Sequence, residues 1–373
     1  MRPIVISGTG LFTPPNTINN DEIVQSFNAY VHAYNAAHSA EIAAGTKEAL
    51  SESDSAFIEK ASGIKNRYVI DKKGILDPNI MHPVYKPRAD EELSLQAECG
   101  LYAAKQALEK ANKTPADIDA VLVSCTNLQR AYPSISIEIQ NALGIQGYGY
   151  DMGVGCSSTT FGIQAAYNAL QSGQAKCVLL VNPEFITPQV NFRDRQSHFI
   201  FGEAATALVL EPATTCTAPN AYEILSIKLK TQFSNNVRCN FGYMNRSEGD
   251  NFGPDKLFYQ QGRKVFREVV PMVEELILEH LAAEKLRVPQ LKRLWLHQAN
   301  SNMNRLIATK ILGYEPDGLI APVVLDEYAN TASAGSIIAF HKYHIDLSPG
   351  DLGLICSFGA GYSVGNVIVR KYS

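Results

Sequence analysis

The sequence predicts an α/β fold made of two similar halves, on two observations. Short β-rich runs alternate with longer helical patterns, the order expected when helices cover largely parallel sheets. The alternation then recurs at an offset of 174 to 175 positions: Pro115 and Pro289 precede matching strands, and Val178 and Gly353 begin matching strands. In chain order, apolar residues at helical spacing predict a helix over about 93–111, followed by a buried strand over 120–124. A helix over about 158–170 leads to a strand over 177–181. The second half repeats this, with a helix over about 264–283 before a strand over 294–296, and a helix near 333–343 before a strand over 352–356. The halves are read as 1–212 and 213–373.

Length and composition agree with a folded chain of about two domains: 373 residues, 46% hydrophobic and 19% charged. A net charge of −4 supplies no global positive field for nucleic acid or an acidic membrane. The apolar runs are strand-sized, far short of the ~20 residues that span a bilayer. The start, one arginine and a short apolar stretch broken by glycine and proline, does not read as a secretory leader and predicts a cytoplasmic protein. Seven cysteines without close CxxC pairs argue against zinc or a disulfide framework, so no metal site is expected.

The repeat makes a demand about where special residues fall. Moving Cys156 by the offset of 174 lands on Asn330, so each stands just ahead of a helix in its own half. If the halves pack about a pseudo-twofold axis, the two approach one another at its centre. Cys156 lies in the run from Met152 to Gly162, where glycines permit a tight turn and Ser157 and Ser158 can cap a helix. Backbone N–H groups and the helix dipole at such a place favour a thiolate and can also hold an oxyanion. The other six cysteines read as packing residues. His297 follows a short apolar strand and opens the run His297 to Asn300, where a strand emerges into a loop. His32, His38, His82 and His280 are read as solvated. Asn330 would cap its helix on local evidence alone, a role compatible with one in the site. Near the C-terminus the run from Ser357 to Tyr362 holds glycines that let backbone N–H groups approach a carbonyl, although by composition it is equally a β-turn. Gly8 and Gly10 alone do not make a dinucleotide fingerprint, so no nucleotide cofactor is indicated.

These motifs together resemble β-ketoacyl-acyl-carrier-protein synthase III of the thiolase superfamily. The resemblance rests on Cys156 with its following helix, His297–Asn300, Asn330–Ser333 and Phe358–Gly361, in the family's order and approximate spacing. It also covers Ser62–Tyr68 and Phe201–Ala205. It implies a five-layered αβαβα architecture, usually a homodimer, with no cofactor. It further implies that Cys156 is acylated by an acyl-CoA, and that His297 and Asn330 assist decarboxylation of malonyl-acyl carrier protein and stabilise the enolate. Backbone N–H groups of Cys156 and Ala360 would hold the thioester oxygen, with alanine replacing the family's usual glycine at 360.

The departures bear on substrate. The tryptophan and arginine that commonly hold the CoA adenine correspond to Phe57 and Ala61, and an arginine after the His297 motif is Asn302. Arg195 remains at a CoA-contact position, and Arg263, Phe266 and Arg267 form a candidate phosphate or carrier-protein patch with Asn300, although a solvated helix face with ordinary i,i+4 pairs fits as well. Insertions at about 28–52 and 72–91 are read as a cap near the CoA tunnel or an enlarged acyl pocket, favouring a chain longer than acetyl. Tyr132 matches a position where the partner subunit ends the acyl pocket. A condensing enzyme that does not decarboxylate would need a glutamate base, for which only Glu184 and Glu203 offer themselves; a specialised secondary-metabolite ketosynthase is another alternative. A cysteine hydrolase is disfavoured by the two-fold layout.

Overall fold

The structure, a computed structural model, describes residues 2–250 and 253–373. The first half contributes strands β1 (Ile4–Phe12), β2 (Ala120–Ser124), β3 (Tyr148–Met152), β4 (Val178–Glu184) and β5 (Ala204–Pro212). Its main helices are α1 (Asn20–Ala37), α2 (Leu95–Lys110), α3 (Ile135–Leu143) and α4 (Ser158–Ser172). The second half contributes β6 (Tyr222–Ser234), α5 (Gly262–Ala283), β7 (Leu291–Leu296), α6 (Ser301–Leu312), α7 (Gly335–Lys342), β8 (Leu352–Gly359) and β9 (Gly361–Lys371).

The strands run in the order β7-β8-β9-β6-β1-β5-β4-β2-β3, with β1 of the first half meeting β6 of the second in a short antiparallel pairing. Each half repeats one pattern. β2 pairs parallel with β4, which pairs antiparallel with β5; β7 pairs parallel with β8, which pairs antiparallel with β9. This is the duplication that the 174-residue offset predicts, and β3 is the strand the first half adds.

Alternation of side chains places the layers. Val121 and Val123 face α2 and α3, whereas Ala120 and Leu122 face α4 and α7. On the other sheet, Leu294, Leu296 and Leu354 meet α5 and α6, while Trp295 and Ile355 meet the central helices. The order is helix, sheet, helix pair, sheet, helix, the five layers implied by the resemblance. Because both faces of each sheet are covered, its strands read as continuous apolar runs, which made them legible. Gly8 and Gly10 serve this packing: a Cβ at Gly10 would sit 1.8 Å from the Ala103 carbonyl oxygen, so the pair lets α2 lie against β1.

The two insertions pack on one cluster. Val31 and Leu50 from the first, and Ile75 and Met81 from the second, join Phe199, Ile200, Phe201 and Ala332, with Cys156 at its edge. Phe27 stacks on His198 at 4.4 Å, and the Tyr85 hydroxyl donates to Glu203 at 2.7 Å. His280 departs from expectation. It lies buried on α5 with its ring 2.9 Å from Ser226 Oγ, because the apolar stripe of that helix wraps far enough round to include it.

Candidate active site

A cavity of about 930 Å³ opens between the halves, and Cys156, His297, Asn330 and Ala360 all line it. Its lining is more apolar than polar, with Phe199, Ile200, Phe201, Phe258, Val265 and Met303 on the apolar side. The sequence reading met Phe201 only as part of the resemblance and passed over Phe199 and Ile200; the signal was the apolar run Phe199–Phe201 set between polar loops.

Cys156 precedes α4, on a turn that Gly155 enters at φ +56°. Val154 N–H donates to Ser158 Oγ at 2.8 Å, which closes that turn. The backbone N–H groups of Cys156 itself and of Ala360 both act on the thiol and lower its pKa. Burial outweighs them: with the negative charge of Glu184 it pushes the thiol up to about 12, so the resting group is the thiol and not the thiolate expected from its place ahead of a helix. The end of β8 presses on this residue. A Cβ at Gly359 would stand 2.6 Å from Cys156 Cβ and 3.0 Å from its Sγ. Gly359→Ala is therefore expected to slow acylation of Cys156 by about 10²-fold, since displacement by a fraction of an ångström removes attack geometry. Timed intact-protein mass measurement beside a thermal melt checks this; an unchanged acylation rate would show that the strand can yield.

His297 directly follows β7, its backbone N–H donating to Cys356 O at 2.8 Å and its carbonyl accepting from Asn304 Nδ2 at 2.7 Å. The ring lies edge-on to Phe358 at 5.1 Å, and among the described residues its buried Nδ1 has no hydrogen-bond partner. Burial lowers its pKa to about 4, with the Ala332 backbone offsetting this in part, so the imidazole is neutral. Asn330 is held by its backbone to the neighbouring wall, donating to Ile200 O at 3.0 Å and accepting from Gly202 N–H at 3.1 Å. Ala332 N–H donates to Asn330 Oδ1 at 2.9 Å, which engages the amide oxygen and leaves Nδ2 as the donor.

At the rim, Arg195 lies over the Phe57 ring at 4.6 Å and its Nε donates to Glu52 O at 2.6 Å, so the first insertion fixes a cation at the mouth. Arg263 and Phe266 also line the cavity, and Arg267 lies outside it on the exposed face of α5. Among the described residues none of Arg263, Lys264 and Arg267 has an ion-pair partner, so the paired helix face considered from sequence is not what forms there. Asn300 lines the cavity, but its amide is committed to the protein, capping α6 at Met303 N–H and donating to Ala61 O at 2.8 Å. Tyr132 is 84% exposed on the loop before α3 and does not line this chain's cavity. Glu184 and Glu203 are fully buried, saturated by donors and absent from the lining, which removes the two glutamates considered as bases. Among the described residues no cluster of three or more His, Cys, Asp or Glu could hold a metal ion.

Residues 150–232 and 281–371 match the family models described as 3-oxoacyl-[acyl-carrier-protein] synthase III and its C-terminal part. A β-ketodecanoyl-[acyl-carrier-protein] synthase of Pseudomonas aeruginosa is 57% identical over 350 residues, covering 94% of this chain and 100% of that protein. A β-ketoacyl-[acyl-carrier-protein] synthase III of Granulibacter bethesdensis is 26% identical over 99% of this chain and 100% of its own length. The crystal structure of 3-oxoacyl-[acyl-carrier-protein] synthase III from Aquifex aeolicus superposes with a TM-score of 0.76 at 23% identity, covering 98% of this chain and 99% of that one. With the five layers in place and more than half of its residues shared with a relative of matching length, this chain belongs to the 3-oxoacyl-[acyl-carrier-protein] synthase III family of condensing acyltransferases.

Proposed function

We propose that this protein takes the acyl group of a medium-chain acyl-CoA onto Cys156 and joins it to malonyl-acyl carrier protein in fatty-acid synthesis. The observation that carries the reading is the convergence of Cys156, neutral His297 and Asn330 on one apolar cavity. Cys156 Sγ attacks the thioester carbon as its proton passes to His297; the bond to the CoA sulfur breaks, and the CoA thiolate leaves with that proton. The malonyl group then loses carbon dioxide, and the enolate oxygen takes hydrogen bonds from His297 and Asn330 Nδ2. The carbanion attacks the acyl-Cys156 carbonyl, whose oxygen rests on the N–H groups of Cys156 and Ala360; the Cys156 sulfur leaves to give the 3-ketoacyl product and takes one proton from solvent to restore the thiol. Neutral donors serve each charge that develops, so no metal or cofactor is called for.

Chain length rests on two supports. The ketodecanoyl product in the name of the Pseudomonas relative corresponds to a donor of roughly eight carbons once a two-carbon unit is added. Both insertions, moreover, enlarge the apolar cluster behind the cavity. Arg195, Phe57, Arg263 and Phe266 are proposed to meet CoA and the carrier at the mouth, with Arg267 extending the basic strip and Asn300 shaping the wall. A homodimer through the open edge of β3 is proposed: Asp151 on that strand accepts from Ile135 and Ser136 N–H, which ties the Tyr132 loop to the edge where it can close the partner's acyl pocket. The halves 1–212 and 213–373 are proposed as the two structural units. Seven free cysteines suit the reducing cytoplasm, and among the described residues no helix is long and apolar enough to cross a membrane.

Intact-protein mass after exposure to acyl-CoAs of about two to about twelve carbons tests this, followed by malonyl-acyl carrier protein. Acylation fastest near eight carbons, then discharge as a 3-ketoacyl product with carbon dioxide, is expected. A preference for acetyl, or no acyl-enzyme with any CoA ester, would overturn it.

A further inference from the structure

Glu184, at the end of β4, is a buried carboxylate that the reaction above does not use. It is 0% exposed, and among the described residues it has no ion-pair partner. Its hydrogen-bond partners are all neutral donors. Thr126 N–H reaches its two oxygens at 2.9 and 3.1 Å and Thr126 Oγ1 donates at 3.1 Å; Ser333 N–H donates at 3.2 Å, joined by the Ser333 hydroxyl. Backbone N–H groups cannot reverse their role, so the pocket is built for an acceptor, and the donors of both Thr126 and Ser333 converge on one oxygen, Oε1.

The two donors belong to different pieces of the site. Thr126 follows β2, and Ser333 stands three residues after Asn330. The Ser333 carbonyl in turn accepts from Thr159 Oγ1 at 2.7 Å, on α4 three residues after Cys156. The turn between Asn330 and Ser333 needs a clamp. Ala329 and Ala332 take φ of +56° and +47°, a region that residues with a Cβ avoid, and Ala332 N–H is the group that orients the Asn330 amide.

We propose that Glu184 is a positioning residue, whose carboxylate holds the Asn330 turn against the loop after β2 and against the Cys156 helix, thereby setting the Asn330 donor for decarboxylation. The proposal rests on the roles of Cys156, His297 and Asn330 given above. Glu184 also acts through space, because its negative charge raises the Cys156 thiol, beside which the other titratable neighbour, His297, is neutral. A glutamine at this position sets its NH₂ group either in the place of Oε2, against Thr126 N–H, or in the place of Oε1, against the donors of both Thr126 and Ser333; either way N–H meets N–H, and the charge that strengthens these hydrogen bonds is gone.

The two half-reactions separate this role from a general structural one. In Glu184→Gln, acylation of Cys156 by octanoyl-CoA is expected within about threefold of wild type, while discharge of preformed acyl-enzyme by malonyl-acyl carrier protein falls about 30- to 100-fold. The pH profile of Cys156 alkylation by iodoacetamide, read above the Glu184 pKa of about 7, is expected to move to lower pH in Glu184→Gln and to stay in place in Glu184→Asp, which keeps the charge. Equal losses in both half-reactions, or an alkylation profile that does not move, would overturn the proposal. If Glu184→Gln does not fold, Ser333→Ala takes its place: a loss confined to discharge supports the clamp, and an equal loss or none removes it. A wild-type enzyme that forms no acyl-Cys156 would instead sink the parent reading, and the alkylation profiles would still decide whether Glu184 acts on the thiol.

Discussion

Cys156→Ala is expected to abolish acyl-enzyme formation and to lower condensation by about 10⁴-fold or more, with little change in thermal stability. No other thiol can replace it. Cys99, Cys125, Cys177 and Cys356 are buried away from the cavity, and Cys216 and Cys239 do not line it. Burial raises the thiol and lowers the imidazole, which disfavours a free thiolate–imidazolium pair in the resting site. Proton transfer and attack on the thioester must therefore proceed together, and the N–H groups of Cys156 and Ala360 matter because they take up charge as it forms. His297 and Asn330 remain in place in the variant, so it should still decarboxylate malonyl-acyl carrier protein without condensing it. Single-turnover mass measurement with octanoyl-CoA, alongside carbon dioxide release, reads both. Acylation that persists in Cys156→Ala would require another acceptor and would end this mechanism.

What the sequence disclosed and what it withheld divide along one physical line. The strand and helix order was legible because sheets covered on both faces need continuous apolar strands, and the duplicated halves needed matching turns at a fixed offset. Cys156 and Asn330 could be paired through that offset before any contact was known. The state of those groups was not legible. A helix start suggested a thiolate, but burial and a carboxylate 28 positions away set the thiol high, a balance made by packing and not by local pattern. His280 looked solvated because one turn of a helix does not disclose how much of its circumference is covered. Glu184 and Glu203 offered themselves as candidate bases because a sequence does not show how many donors a carboxylate will meet. Arg195 was placed at the mouth by resemblance, yet its partners, Glu52 O and Phe57, lie more than a hundred positions away, and the insertion supplies one of them.

Asn330→Ala is expected to leave acylation within about threefold of wild type while lowering condensation by about 10² to 10³-fold, the loss seen when one donor to a developing oxyanion is removed. Its backbone is already fixed to the wall through Ile200 O and Gly202 N–H, so the substitution removes an amide without releasing the strand-like bridge at Phe201. His297→Ala differs because the imidazole serves both steps: acylation should fall by about 10²-fold as the proton acceptor is lost, and condensation by at least as much as in Asn330→Ala. The double variant should be little worse than either single one, since two donors to one oxygen act as a unit. The imidazole also fixes the acid limb of the pH profile. With burial holding His297 at about 4, its neutral form predominates at every pH above that value, so the limb that the imidazole sets lies near 4, below the usual histidine range and apart from the fall expected near 7 as buried Glu184 takes up a proton. A limb centred near 6.5 in Glu184→Gln, which lacks the other group titrating there, or an Asn330→Ala enzyme that loses acylation and condensation in parallel, would mean that the two donors are not dividing the work as their burial and hydrogen bonding require.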